Sequence, residues 1–231
     1  MILITTYYKS TNDNRNKEID KCLIKNFENN YIKKIYLLNN DIYDLSFINN
    51  INVHNKIIQV KISNNDNYRL KYNDAIKFIN ENLMNNICIL ANSDIYFDKS
   101  LFKINKKIIH NNFFALLRYD EDCNGNKVLF TRYDEPRNDS QDCWIFQSPL
   151  NINLTKIDFS FGTPGCDSMF ATHVYDECKL MVSNPCYDII SIHVHNTEFR
   201  TYTDENRIHG KYCLIPPCKI CDMKDVSFID Y

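Results

Sequence analysis

Residues 87–98 read Ile-Cys-Ile-Leu-Ala-Asn-Ser-Asp-Ile-Tyr-Phe-Asp: five apolar residues run into the polar triplet Asn92-Ser93-Asp94, and the chain then turns apolar again. A strand that is apolar throughout belongs inside a sheet covered on both faces, because a half-exposed strand would be polar at every second position. Sheets of that kind are mostly parallel, with helices on each side. In such open sheets ligands bind beyond the carboxyl ends of the strands, so Asp94 stands where a site is expected. A carboxylate there can hold a divalent cation against a diphosphate, or it can simply close a turn.

Outward from this strand, apolar spacing alternates between the two-residue period of strands and the 3.6-residue period of helices. Residues 2–8 open the chain with a β-branched run, and after the polar segment 9–15 the spacing of Ile19, Cys22, Leu23 and Phe27 predicts a helix. Segments 34–38 (KIYLL) and 56–62 (KIIQVKI) predict a second and a third strand. Over 69–84, Leu70, Ala75, Ile76, Ile79 and Leu83 fall along one side of a helix that leads into the 87–91 strand. Further strands are expected at 113–117 and 143–146. The turn Gly162-Thr163-Pro164-Gly165 introduces a short helix at 167–175, and late strands follow at 180–182 and 189–194. Strands alternating with helices predict a doubly wound α/β sheet.

The 231 residues suit one domain with a full core, and 44% hydrophobic with 24% charged residues is ordinary for a globular chain. A net charge of -2 provides no global field for polyanions, which argues against nucleic-acid binding. No apolar run approaches the roughly 18 residues of a spanning helix, and the N-terminal run is too short for an export signal, so a cytoplasmic protein with no membrane span is expected. The ten cysteines are then expected as reduced thiols. Cys218 and Cys221 have the spacing of a zinc half-site, with Cys213 nearby, but only His209 or another distant residue could complete four ligands. Heavy use of Asn, Ile, Lys and Tyr beside four glycines and six prolines reflects an A+T-rich genome, viral, protist or bacterial, and specifies no function.

Three further segments carry groups suited to chemistry. Asp167 follows the 162–165 turn, where it can cap a helix or, ionised by the helix dipole, accept a proton. His193 and His195 project from one face of an extended strand, a pattern open to metal ligation, to zinc or to a polar edge. Trp144, beside Asp142 and the polar run 137–142, can grip a sugar with its ring or fill the core. Arg69 and Arg118 are candidates for phosphate through their forked guanidinium groups, and Arg200 and Tyr202 stand near the histidines.

Asn92-Ser93-Asp94 after a buried fourth strand resembles the DXD motif of GT-A glycosyltransferases, with Asn92 in place of the first Asp. The opening strand ending in Thr5-Thr6-Tyr7-Tyr8 is similar to the first strand of that fold, whose end meets the nucleotide. The resemblance implies a single GT-A-like domain with a Rossmann-like, mostly parallel central sheet, nucleotide binding in about residues 1–100 and acceptor binding and catalysis in about 101–231. It implies transfer of a sugar from a nucleotide diphosphate, a UDP sugar above all, to a glycan, protein or small-molecule acceptor. Asp94, with His193 or His195, would hold Mn2+ or Mg2+. Thr5, Tyr7, Arg69, Asn92, Ser93, Asp94 and Trp144 would contact the nucleotide sugar. Asp167 resembles the base of inverting members, with Asp142 second, while a retaining enzyme would need neither. Two other readings use the same residues: a non-catalytic nucleotide-sugar or carbohydrate-binding module, which the Asn92 replacement favours, and a metal-dependent phosphohydrolase, which would want a denser acidic cluster.

Overall fold

The computed structural model describes residues 1–50, 53–62, 69–122, 124–197 and 203–231, apart from the side chain of residue 204. In chain order the strands are β1 (Ile2–Thr5), β2 (Lys34–Asn39), β3 (Ile57–Lys61), β4 (Ile87–Ala91), β5 (Ile95–Phe97), β6 (Asn112–Leu116), β7 (Tyr119–Glu121) and β8 (Lys127–Leu129). They continue with β9 (Thr131–Arg132), β10 (Glu135–Pro136), β11 (Cys143–Gln147), β12 (Met181–Ser183), β13 (Ser191–His193), β14 (Lys211–Leu214) and β15 (Ser227–Asp230). The helices are α1 (Asp13–Glu28), α2 (Val53–Lys56), α3 (Tyr72–Asn82), α4 (Lys106–Ile109) and α5 (Cys166–His173).

Seven strands form the central sheet in the order β12-β6-β11-β4-β1-β2-β3, and all but β11 run the same way. Alternation sorts their side chains into two cores. Ile4, Cys88, Leu90, Trp144 and Phe146 face one side, where α3 and α5 supply Tyr72, Ile76, Ile79 and Phe170. Leu3, Ile89, Ala91, Cys143 and Ile145 face the other, against Ile19 and Leu23 of α1. Each fully buried Leu, Ile or Phe contributes about 1.5–3 kcal/mol, so the apolar run 87–91, filling both cores, is a large part of what holds the layers together. The chain is therefore a mixed α/β fold with a mostly parallel central sheet flanked by helices.

The sheet order reverses between β1 and β4, and in open sheets of this kind ligands bind beyond the carboxyl ends of the strands at such a reversal. Just past β4 the chain leaves the main sheet and enters a smaller one, β5-β13-β7-β8. Asp94 thus stands in the turn between two sheets. At the N-terminus of α1 the Asn12 side chain accepts the Asn14 and Arg15 N–H groups, a cap worth about 1 kcal/mol.

Several boundaries differ from expectation for local reasons. The first strand stops at Thr5 because the Tyr7 N–H turns aside to the Asn39 side chain at 2.8 Å. Helix α3 starts at Tyr72, since the backbone around Leu70 and Tyr72 is bonded to Phe159 and Phe161. Strands β5, β7, β8, β14 and β15 have three or four residues each, too few for a period to register. No described helix is long and apolar enough to cross a membrane.

Candidate active site

Asp94 is 7% exposed, and three cationic or cation-capable groups converge on its Oδ2 atom. Arg15 Nη2 donates to it at 2.5 Å, His193 Nε2 lies at 3.3 Å and His195 Nδ1 at 3.7 Å. The other oxygen, Oδ1, is buried without a partner. Burial pushes this carboxyl up, but the two histidines and Arg15 outweigh it and hold the group well below the usual carboxylate range. For His193, burial pushes the imidazole down, yet the Asp94 charge and the hydrogen bond the ring donates to Asp120 raise it to about 9.

Strand register builds the cluster. On β13, His193 is paired with Ile95 of β5 on one side and with Asp120 of β7 on the other. Side chains in register share a face about 5 Å apart, so Asp120 Oδ1 meets His193 Nδ1 at 2.9 Å. Helix α1 closes the far side: Glu18 pairs with Arg15 at 3.0 Å and accepts the N–H groups of Asn196 and Thr197, fastening the segment that follows His195.

Among the described residues, Asp94, His193 and His195 are the one group of metal-ligating side chains whose ligand atoms all lie within 4.8 Å of one another. They fit a divalent ion: an orphaned buried oxygen faces no protein donor, and with Nδ1 of His193 occupied by Asp120 its Nε2 is turned toward Asp94. Two imidazole nitrogens and one carboxylate suit Mn2+ better than Mg2+, which prefers oxygen and water. Cys213, Cys218, Cys221 and His209 do not gather into such a group, and the nine described cysteines are free thiols.

Asn92 has a different task. Its side-chain amide donates to Asp142 Oδ1 at 2.9 Å, while Arg118 Nη1 donates to Asp142 Oδ2 at 2.7 Å. Asp142 therefore has both oxygens engaged, one by an amide and one by a guanidinium. Arg118 is committed to Asp142 and to Asp120, at 2.8 Å, and stacks on Phe130, so its fork serves carboxylates before any phosphate.

Asp167 lies two residues past Gly165, and Gly165 is the helix cap, in place of the Asp167 cap foreseen from sequence. Gly165 has φ +85°, and a Cβ there would lie 1.8 Å from the Tyr212 hydroxyl oxygen, so no other residue fits. The Asp167 carboxylate accepts the Gln141 N–H at 2.9 Å. Burial raises its carboxyl to about 6 against that bond, and the neighbouring Asp142 charge adds to the rise. The expected dipole-stabilised, low-pKa carboxylate is thus corrected: loss of water outweighs the helix N-terminus.

Two aromatic assignments are also corrected. Trp144 is fully buried, edge-on to Tyr72, Phe161 and Phe170, because β11 is a central strand with a core on each face; its ring offers no platform to a sugar. Tyr7 is 1% exposed, packed against Tyr43 and Phe47, with its hydroxyl donated to Asp20 at 2.6 Å, so its ring cannot stack on a base. Thr5, the last residue of β1, keeps a buried hydroxyl without a partner. Ser93 is half-buried in the same turn as Asp94. Arg69 lies beside the 162–165 turn, its Nη1 3.7 Å from where a Gly162 Cβ would stand. Arg200 and Tyr202 lie outside the described residues. A separate cleft of about 330 Å³, lined by Tyr43, Asp44, His54 and Gln59 among others, includes none of the expected site residues.

Arg15, Glu18 and Asp120 had not been singled out. Arg15 and Glu18 sit in a polar helix start that looks like any solvated face, and Asp120 belongs to a strand of three residues.

No family model and no curated protein matches the chain. Among solved structures it is similar to S. aureus TarS 1-349 in complex with UDP-GlcNAc, a GT-A-like glycosyltransferase, at 14% identity and a TM-score of 0.56 over 87% of this chain. The match covers 61% of that chain, so this chain spans less than two thirds of it. It is also similar to 4-diphosphocytidyl-2C-methyl-D-erythritol synthase from Anaerococcus prevotii, at 13% identity and a TM-score of 0.45, over 89% of this chain and 93% of the other. The fold of this chain is GT-A-like.

Proposed function

We propose that the chain transfers a sugar from a nucleotide diphosphate, a UDP sugar in the first instance, to a hydroxyl acceptor. The reading rests on one observation: Asp94, His193 and His195 converge past the carboxyl end of β4, where the sheet order of a GT-A-like fold reverses. A divalent cation held by these three residues, Mn2+ before Mg2+, would neutralise charge growing on the departing diphosphate. In an inverting displacement Asp167 accepts the proton of the acceptor hydroxyl. The acceptor oxygen bonds to the anomeric carbon as the bond from that carbon to the diphosphate oxygen breaks, and the electron pair leaves with the nucleotide. With a carboxyl near 6, Asp167 is ionised at neutral pH yet basic enough to share a proton in the transition state. The division into a donor-binding part at about 1–100 and an acceptor part at about 101–231 belongs to the same proposal, with His193 and His195 of the second part reaching back to Asp94.

The test is a thermal-shift and calorimetric series with UDP and UDP-GlcNAc, each with Mn2+ and with a chelator. A ligand at 100 times its Kd should stabilise the fold by roughly 2.7 kcal/mol. Equal affinity in Mn2+ and in chelator would remove the metal from the reading. Tight binding with no transfer or hydrolysis of the donor would favour a binding module.

A further inference from the structure

We propose that Asp120 is a positioning residue for the metal group, setting the imidazole of His193 so that Nε2 is the atom presented beside Asp94; this rests on the metal reading above. Three observations carry it. The β7–β13 register puts Asp120 next to His193 on one face, and its Oδ1 lies 2.9 Å from Nδ1. The opposite ring nitrogen, Nε2, lies 3.3 Å from Asp94 Oδ2, so one imidazole spans the two carboxylates in line. Asp120 is itself held: Arg118 Nε donates to the same Oδ1 at 2.8 Å, and the far end of that guanidinium is tied to Asp142, which Asn92 holds in turn.

A neutral imidazole can donate from only one nitrogen, and a carboxylate at Nδ1 keeps the proton there. A cation that takes the place of the proton on Nε2 meets a lone pair made more basic by the carboxylate behind Nδ1. The line Asn92–Asp142–Arg118–Asp120–His193 therefore links the first residue of the 92–94 triplet to the metal group by a second route, separate from the two peptide bonds between Asn92 and Asp94.

The test is Mn2+ affinity of the purified chain by calorimetry. Asp120→Ala should weaken binding by roughly 10–100-fold, the usual cost of losing a carboxylate behind a ligating histidine. Asp120→Asn should recover part of the loss, because an amide oxygen still accepts the Nδ1 proton. Glu121→Gln is the control: the next residue on β7 joins Lys21 and Tyr96 on the opposite face, so it disturbs the strand without touching His193. Its Mn2+ affinity should stay native. The inference is overturned if Asp120→Ala binds Mn2+ as the native chain does, or if Glu121→Gln loses as much. A native chain that binds no Mn2+ would overturn the metal reading itself, an outcome distinct from either.

Discussion

Asp94 and Asp167 stand at the same end of the central sheet, both largely withdrawn from water, and their protons behave in opposite ways. Asp94 loses hydration but gains Arg15, His193 and His195, and stays ionised far into acid. Asp167 loses hydration and gains the Gln141 N–H, and its carboxyl rises to about 6. Burial alone therefore assigns no role to a carboxylate; the count of cations facing it does. A permanently ionised group suits an ion or a structural charge, and one titrating just below neutrality suits proton transfer.

The sharpest way to break this contrast is Asp94→Ala. It leaves Arg15 and His193 buried without their shared anion, and loss of one member of such a buried set costs about 3–5 kcal/mol. Chemical denaturation in chelator should register that loss, and calorimetry should find no Mn2+ binding. A variant as stable as the native chain would mean that the cluster does not hold α1 to the second sheet.

Asp167→Asn should act the other way. Turnover should fall by roughly two to four orders of magnitude, the usual worth of a positioned base, with donor affinity unchanged. Stability at pH 7.5 should hold or rise by about 1–2 kcal/mol, because the folded state no longer carries a carboxylate it disfavours. If turnover survives while Asp142→Asn loses it, the base is Asp142; if both variants remain active, the mechanism is a retaining one.

Between about pH 4 and 6 the two groups should separate in the native chain. The Asp167 carboxyl titrates higher in the folded state than in the unfolded one, so raising the pH through this window should lower stability, and transfer should increase through about pH 6. Asp94 has the opposite sign: its contribution is present above about pH 4 and is lost only as the pH falls well below that. Unfolding midpoints of native and Asp167→Asn chains should therefore differ most above pH 6 and converge near pH 4.

The smallest effect on function should come from Trp144→Phe. As a core residue it should cost about 1–3 kcal/mol of stability and leave the Michaelis constants unchanged. A large rise in the Michaelis constant for acceptor or donor would return the indole to the site.

Much of the fold was legible because it rests on local periods. The run at 87–91 announced a two-sided strand, and the spacing of Ile19, Cys22 and Leu23 announced α1. The candidate site was legible only where a residue ended a recognisable strand, as Asp94 does, or repeated on one face, as His193 and His195 do. Arg15, Glu18 and Asp120 act through partners 79, 178 and 73 residues away, and no period along the chain encodes such pairings. Trp144 was ambiguous because a core strand and a sugar platform ask for the same ring; the surrounding aromatic residues, distant in sequence, decide it.

Those long separations bear on the order in which the molecule assembles. Glu18 meets Asn196 across 178 residues, and Asp94 meets His193 across 99. Closing loops of that size is entropically costly until the surrounding sheets exist, so the Asp94 cluster is expected to close together with or after the sheets that carry it. During synthesis from the ribosome, Arg15 and Asp94 are present long before either histidine, and a chain ending short of residue 193 would carry that ion pair without the two imidazoles or the segment that covers it.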